Sequence, residues 1–452
     1  MAILLGSLAG VLILIIGVGA VVLLNQEGSR SEAPPSTATQ STQPPKATPA
    51  SIEAKLLFSE VAPRNLRGID YDSVSTEGSW ATATRYISGG KSGVTGYDAV
   101  TGEQKWVVPF TGGICKASEG MTGSGWVAVM SNDTWRWQSA CTRLTVIDLK
   151  SGRKVWEKRI SSEVAGHGLL MTVAVTDGVI AVGWEDGSMG FQTATGDRLW
   201  SKPPPGCLME AHTSGPRLLS LSICRNGRSR VQERDLRSGK TIRTYRLPPG
   251  IHNAWIVSTD PVVLGVATKS DLLDADRLVI MADNGKVQAT IDIGKRYVAG
   301  CGQNDGTCAA TVVTKDTLYI STTQPDREKP SAIVAFDVKT GKRKWASKTP
   351  VSPGLGTMIP LRTEGEDGLI AYLEPMYKHP GRVVHIAADG TQKTLLMLPM
   401  TWEVHQHASG LSDAEARSLV RYEHGRLYLH DIGPFDNSHP KDELVTMAFG
   451  PP

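Results

Sequence analysis

The 452-residue sequence has no two adjacent cysteines, no CxxC, no HExxH and no G-x-S-x-G. The absence of CxxC spacing argues against a zinc knuckle, that of HExxH against a zincin, and that of G-x-S-x-G against a nucleophile elbow. Charge of one sign is also missing as a block. Lys and Arg total 48 against 45 Asp and Glu, a net charge of +3 spread along the chain, so nothing argues for nucleic acid. Long stretches with a 3.6-residue apolar period are absent after the N-terminus, and the one helix-like stretch there, SDAEARSLV (412–420), reads as a loop turn or the start of a strand. What the sequence has is 40% hydrophobic residues, enough to bury a large core.

Residues 2–24, AILLGSLAGVLILIIGVGAVVLL, carry no charge and are long enough to cross a bilayer once. A cleaved signal peptide would need a shorter apolar core with a small-x-small exit, and a lipoprotein would need a Cys. A retained transmembrane anchor over 1–24 is the expectation. No Lys or Arg precedes the span, so its orientation is weakly specified and a basic leader upstream is expected. From 25 to 52 the composition turns to Ser, Thr, Pro, Gln and Ala, a tether that cannot bury enough apolar surface to order itself. Residues 53–452 are expected to form one folded domain.

Within that domain a pattern recurs, anchored on a turn glycine: Gly102, Gly152, Gly196, Gly239, Gly285, Gly341 and Gly390. The steps of 43 to 56 residues suit one propeller blade. Each copy reads as a hairpin: a short strand, an Asp-x-x-Thr/Ser-Gly turn with Gly at positive φ, and a second strand. Four copies place a Trp four residues after the glycine, at Trp106, Trp156, Trp200 and Trp345. A flat side chain at one position of successive units fits packing between blades, with ligand stacking as the alternative. Each hairpin follows another strand-like run, such as GWVAVMS or GVIAVGW. The expectation is an all-β propeller of eight four-stranded blades, the segment 54–63 supplying the outer strand of the last; seven blades are the alternative, because the fourth, fifth and seventh copies lack the Trp.

Six cysteines fall in three close couples, Cys115 with Cys141, Cys207 with Cys224 and Cys301 with Cys308, the first of each following an outer strand. Three intra-blade disulfides are expected, although six cysteines allow fifteen connectivities and zinc is the rival reading. Disulfides imply an oxidising, extracytoplasmic location.

The pattern from Asp98 to Trp106, Asp148 to Trp156 and Asp337 to Trp345 resembles the pyrroloquinoline-quinone (PQQ)-like repeat, over roughly residues 54–450. That family includes quinoprotein dehydrogenases, a scaffold lipoprotein of outer-membrane-protein assembly, and ectodomains of envelope sensors. The dehydrogenases hold their quinone between a Trp and a disulfide of adjacent cysteines, beside a calcium. The sequence has no such cysteine pair and no recognisable calcium ligand set, so the resemblance implies a binding or scaffold module without a cofactor.

Remaining chemistry is sparse. YISGGKSG (86–93) ends like a phosphate loop, but Arg85 stands where the first Gly should be and a strand follows, so a hairpin turn is the reading. In TWEVHQH (401–407), a strand would put Glu403, His405 and His407 on one face, where they could hold Zn²⁺; a solvated strand face is the alternative. DTWRWQ (133–138) sets Trp135, Arg136 and Trp137 in a hairpin tip, either as a protein or glycan contact or packed on the blade. The functional expectation is a membrane-anchored, extracytoplasmic propeller binding an envelope protein or cell-wall component. The alternative is an enzyme, either a divergent quinoprotein or a metal-dependent hydrolase using Glu403, His405 and His407.

Overall fold

In a computed structural model of the chain, residues 52–452 are described except 62–75, 91–92, 135–139, 161–170, 186, 203–206, 225–227, 270–273, 302–307, 309, 324–330, 348–355, 366–367, 377–378, 412–417 and 432–443. The expected anchor (1–24) and almost all of the tether (25–52) lie outside the described residues, among which no helix is long and apolar enough to cross a membrane. The propeller belongs to a compact unit, Ala50–Pro452.

Strands that follow one another in sequence pair antiparallel, four at a time. The first blade is Ser79–Ala81, Arg85–Gly90, Gly93–Asp98 and Gln104–Pro109, and blades two to seven repeat the order over 114–159, 172–202, 207–245, 253–292, 297–346 and 358–397. In the sixth, the innermost strand is split into Tyr297–Val298 and Thr311–Val313, both paired with Thr317–Thr322. The eighth blade takes Ser418–Glu423, Arg426–Asp431 and Leu444–Gly450 from one end of the chain and Lys55–Val61 from the other. Lys55 lies opposite Gly450 and Leu56 opposite Phe449. The ring therefore has eight blades, and pairing the two ends removes a free edge.

The core is divided among the seams between blades. Eight apolar clusters occupy the eight seams, each drawing on two neighbouring blades. Inner strands are apolar on both faces, as Val179–Trp184 and Gly368–Leu373, buried throughout, show, because each face meets another blade.

The closing seam, between the eighth and first blades, is the most polar. Tyr86 stacks on Tyr428 at 4.5 Å between ring centroids. Beside them Glu60 accepts hydrogen bonds from Tyr97 (2.7 Å) and Ser88 (3.0 Å). His430 is fully buried; its Nε2 lies 2.8 Å from the Thr76 carbonyl and its Nδ1 2.9 Å from the Thr446 hydroxyl. A carbonyl only accepts, so Nε2 carries the proton of the neutral ring, and Nδ1 faces the Thr446 hydroxyl, which also reaches Glu60 at 3.3 Å. Burial holds the His430 pKa down at about 4 and pushes that of Glu60 up, against the lowering effect of its hydroxyl donors.

Candidate functional site

Along each blade the strands alternate in direction, so connections after the first and third strands emerge on one side of the ring and those after the second and fourth on the other. On the first side every connection spans two to eight residues. On the second they reach twenty, with 62–78, 160–171, 347–357, 398–417 and 432–443 all longer than ten. Short turns leave little surface to vary, whereas long connections on a rigid frame are where binding groups are carried.

The three disulfides belong to the long-connection side. Cys115–Cys141 joins the first strand of the second blade to the start of its third, and Cys207–Cys224 joins the start of the first strand of the fourth blade to the end of its second. Cys301–Cys308 closes the excursion that splits the inner strand of the sixth blade, and both sulfurs pack near Gly265 of the fifth.

The four repeated tryptophans lie at blade seams. A Cβ built on Gly152 would come within 2.3 Å of the Trp106 ring, one on Gly196 within 2.7 Å of Trp156, and one on Gly239 within 2.6 Å of Trp200. Each of these Trp therefore covers the turn glycine of the next blade. Trp156 and Trp200 also donate their indole N–H to carbonyls of that turn, Thr193 at 2.8 Å and Leu236 at 3.1 Å. Trp345 packs in the seam between the sixth and seventh blades, against Tyr319. In the closing blade Phe58 takes the same position, with a Cβ on Gly102 reaching to 2.4 Å of it.

The TWEVHQH strand expected from sequence is instead a helix, Trp402–Gly410. Thr401 caps it, its hydroxyl accepting from the Val404 N–H at 3.2 Å, and Glu403 sits in the first turn, where a carboxylate suits the helix dipole. Val404 and Ala408, one turn apart, are buried, whereas Trp402 is 76% exposed. At about 100° per residue, Glu403 and His407 share a side and His405 points away from it, so the common face proposed for zinc does not exist. No group of three His, Cys, Asp or Glu able to hold a metal occurs among the described residues. YISGGKSG forms a hairpin that pairs Gly90 with Gly93. Trp135, Arg136 and Trp137 lie outside the described residues.

One cavity, of about 680 Å³, opens at the channel mouth on the short-turn side. Its walls come from the second, third, fourth, seventh and eighth blades, and its prominent charged residues are Glu119, Asp177 and Arg421. The glycine-rich turn 118–125, the longest on that side, reaches across it: the Arg421 Nη2 donates to the Glu119 carbonyl at 3.2 Å, and Asp177 accepts from the Gly123 N–H at 2.8 Å. Desolvation lowers the Arg421 pKa, opposed by the charges of Glu119, Tyr86 and Glu423. Sequence reasoning missed this mouth, because Arg421 is one residue of an ordinary strand alternation; only the long, Gly-rich SEGMTGSG turn gave a signal.

The quinone of the dehydrogenases does not fit. The disulfides join cysteines 26, 17 and 7 residues apart, not adjacent ones. Among the described residues no Trp lines the channel-mouth cavity to act as a floor.

The family model described as outer membrane protein assembly factor BamB matches residues 90–347. The chain belongs to this PQQ-repeat family. The matched residues include all four Trp-bearing turns; the closing strand and the last two blades lie beyond them. Among solved structures, the family's BamB from Moraxella catarrhalis is similar at 15% identity and a TM-score of 0.48, covering 87% of this chain and 97% of that one. A quinohemoprotein alcohol dehydrogenase from Pseudomonas putida is similar at 13% identity and a TM-score of 0.48, covering 88% and 76%. No curated protein matches by sequence.

Proposed function

We propose that this chain is a non-catalytic binding or scaffold module of the cell envelope, its propeller extracytoplasmic, residues 2–24 its membrane anchor and 25–52 the tether. The observation that carries this reading is the asymmetry of the ring: tight turns on one side, and on the other the long connections, together with the disulfides that tie strand ends there. Long connections on a rigid frame are where binding groups are carried. Membership of a family described by an envelope assembly factor supports it, as do disulfides, which need an oxidising compartment.

The test is site-specific photo-crosslinking in native membranes. A photoreactive amino acid at Met400 or Trp402, on the long-connection side, is expected to give a reproducible adduct, and one at Lys150 or Lys339, in the short turns, is expected to give none. Absence of any adduct from the long-connection side would sink the proposal.

A further inference from the structure

Three charged side chains line the channel-mouth cavity: Arg421 from the innermost strand of the eighth blade, Asp177 from a turn of the third, and Glu119 from the 118–125 turn of the second. They are not equivalent. Glu119 and Asp177 are exposed at the rim, whereas Arg421 is half-buried and its Nε, fully covered, has no hydrogen-bond partner among the described residues. A guanidinium has five N–H donors, and the bond Arg421 makes runs from Nη2 to the Glu119 carbonyl, a neutral acceptor. Glu119 and Glu423 act on it through their charge, without an ion pair among the described residues. A desolvated cation held this way is costly unless an acceptor of opposite charge takes the remaining donors.

The mouth is held in place by bonds between blades. Asp177 accepts from the Gly123 N–H at 2.8 Å, joining the third blade to the second, and the Ser214 hydroxyl accepts from the Val175 N–H at 2.7 Å, joining the fourth to the third. The Arg362 Nε donates to the Tyr422 carbonyl at 2.9 Å, joining the seventh to the eighth. The first blade gives no lining residue; its innermost strand is three residues long, and the 118–125 turn passes it to reach Arg421. A site so fixed loses little freedom when it is filled. Its volume of about 680 Å³ suits a small molecule, and its wall includes the apolar side chains Leu361, Leu419 and Met121.

The balance of charge selects the occupant. One cation faces two carboxylates in the lining, so a phosphate or other multiply charged anion drawn by Arg421 is repelled by Glu119 and Asp177. A simple carboxylate leaves Asp177, which bonds the Gly123 N–H and no cation among the described residues, without a counter-charge. We propose that this cavity binds a small zwitterion with an apolar body, of the class of amino acids and short peptides. The carboxylate of the ligand takes the unused donors of Arg421, its ammonium sits beside Asp177 at the rim, and its apolar side chains cover Leu361, Leu419 and Met121. The site lies on the opposite side of the ring from the long connections and does not rest on the scaffold reading.

The probe is the tripeptide leucyl-alanyl-leucine, titrated into the full chain in mild detergent and followed by calorimetry. Binding is expected, and it should be about tenfold or more weaker for the C-terminal amide of the tripeptide. Arg421→Gln should lose a similar factor for the acid and bind acid and amide alike. Asp177→Asn keeps an acceptor for the Gly123 N–H and removes the charge; it is expected to weaken the tripeptide about threefold, as for an exposed ion pair, and to leave the N-acetylated tripeptide unchanged. Free leucine binding as tightly as the tripeptide identifies an amino acid as the occupant, and weaker binding identifies a peptide. The comparison of acid with amide uses the wild-type chain, so it stands even where Arg421→Gln fails to fold. Four results would overturn the inference: no binding of tripeptide or leucine, equal binding of acid and amide, an acid–amide difference that folded Arg421→Gln retains, or inorganic phosphate displacing the tripeptide at matched concentration. Crosslinks from Met400 and Trp402, on the other side of the ring, would survive such a failure, so the two readings fail separately.

Discussion

Gly152 has φ of +68° and lies under the Trp106 ring, so two separate constraints exclude a side chain there. Gly250 has φ of +80° with nothing within 4 Å of a built Cβ, so only the backbone constraint applies. Gly250→Ala is expected to cost roughly 1–2 kcal/mol from positive φ alone, and Gly152→Ala measurably more, because the ring must move; urea midpoints of the two variants compare them. Trp200→Phe keeps the flat packing but removes the indole donor to Leu236, and about 1 kcal/mol should be lost. His430 gives a pH signature. Its folded pKa of about 4 is below the ordinary histidine value, so between about pH 4 and 6.5 the unfolded chain binds the proton and the folded chain does not. Stability from this group therefore rises with pH across that window and is lost as pH falls through it, by an amount on the order of 3 kcal/mol. Glu60 acts in the opposite sense: its raised pKa makes the folded state the better proton binder, so its contribution falls as pH rises above the ordinary glutamate value. Denaturant titrations of wild type and His430→Asn from pH 4 to 7 should differ in slope, the variant losing the histidine rise.

At the scale of elements, the strand Lys55–Val61 determines whether the ring closes. It supplies Phe58 over Gly102 and Glu60 to the polar seam. Phe58→Ala is expected to cost roughly 2–4 kcal/mol, as for other packed aromatics, and calorimetry should show a broader transition if the eighth blade loosens separately. The strand was legible in the sequence because a lone outer strand at one end and an unfinished hairpin at the other complement each other. The helix Trp402–Gly410 was not. Its sequence alternates as a strand would, and what overrides the alternation is local: a Thr401 hydroxyl on the Val404 N–H, and two buried residues one turn apart, Val404 and Ala408. That override removed the zinc geometry drawn from residues 403–407.

For the whole molecule, the disulfides are the consequential feature. With no free cysteine among the described residues, the denatured, unreduced chain should show no titratable thiol. Reduction should lower stability by about 2–4 kcal/mol for each of the two wider loops and by less for Cys301–Cys308, read as a drop in melting temperature. The sequence by itself determined the blade repeat and the positions of the repeated tryptophans, because a turn glycine, its Asp and a Trp four residues on are local chemistry repeated at fixed spacing; the choice of eight blades over seven came from the pairing of Lys55–Val61 with Leu444–Gly450. Only the tertiary structure decided which residues meet across the ring. Arg421 reaches the turn of the second blade, and Glu60 from one end of the chain meets Tyr97 and Ser88 of the first blade, because strand register and blade order bring together side chains that no local pattern relates.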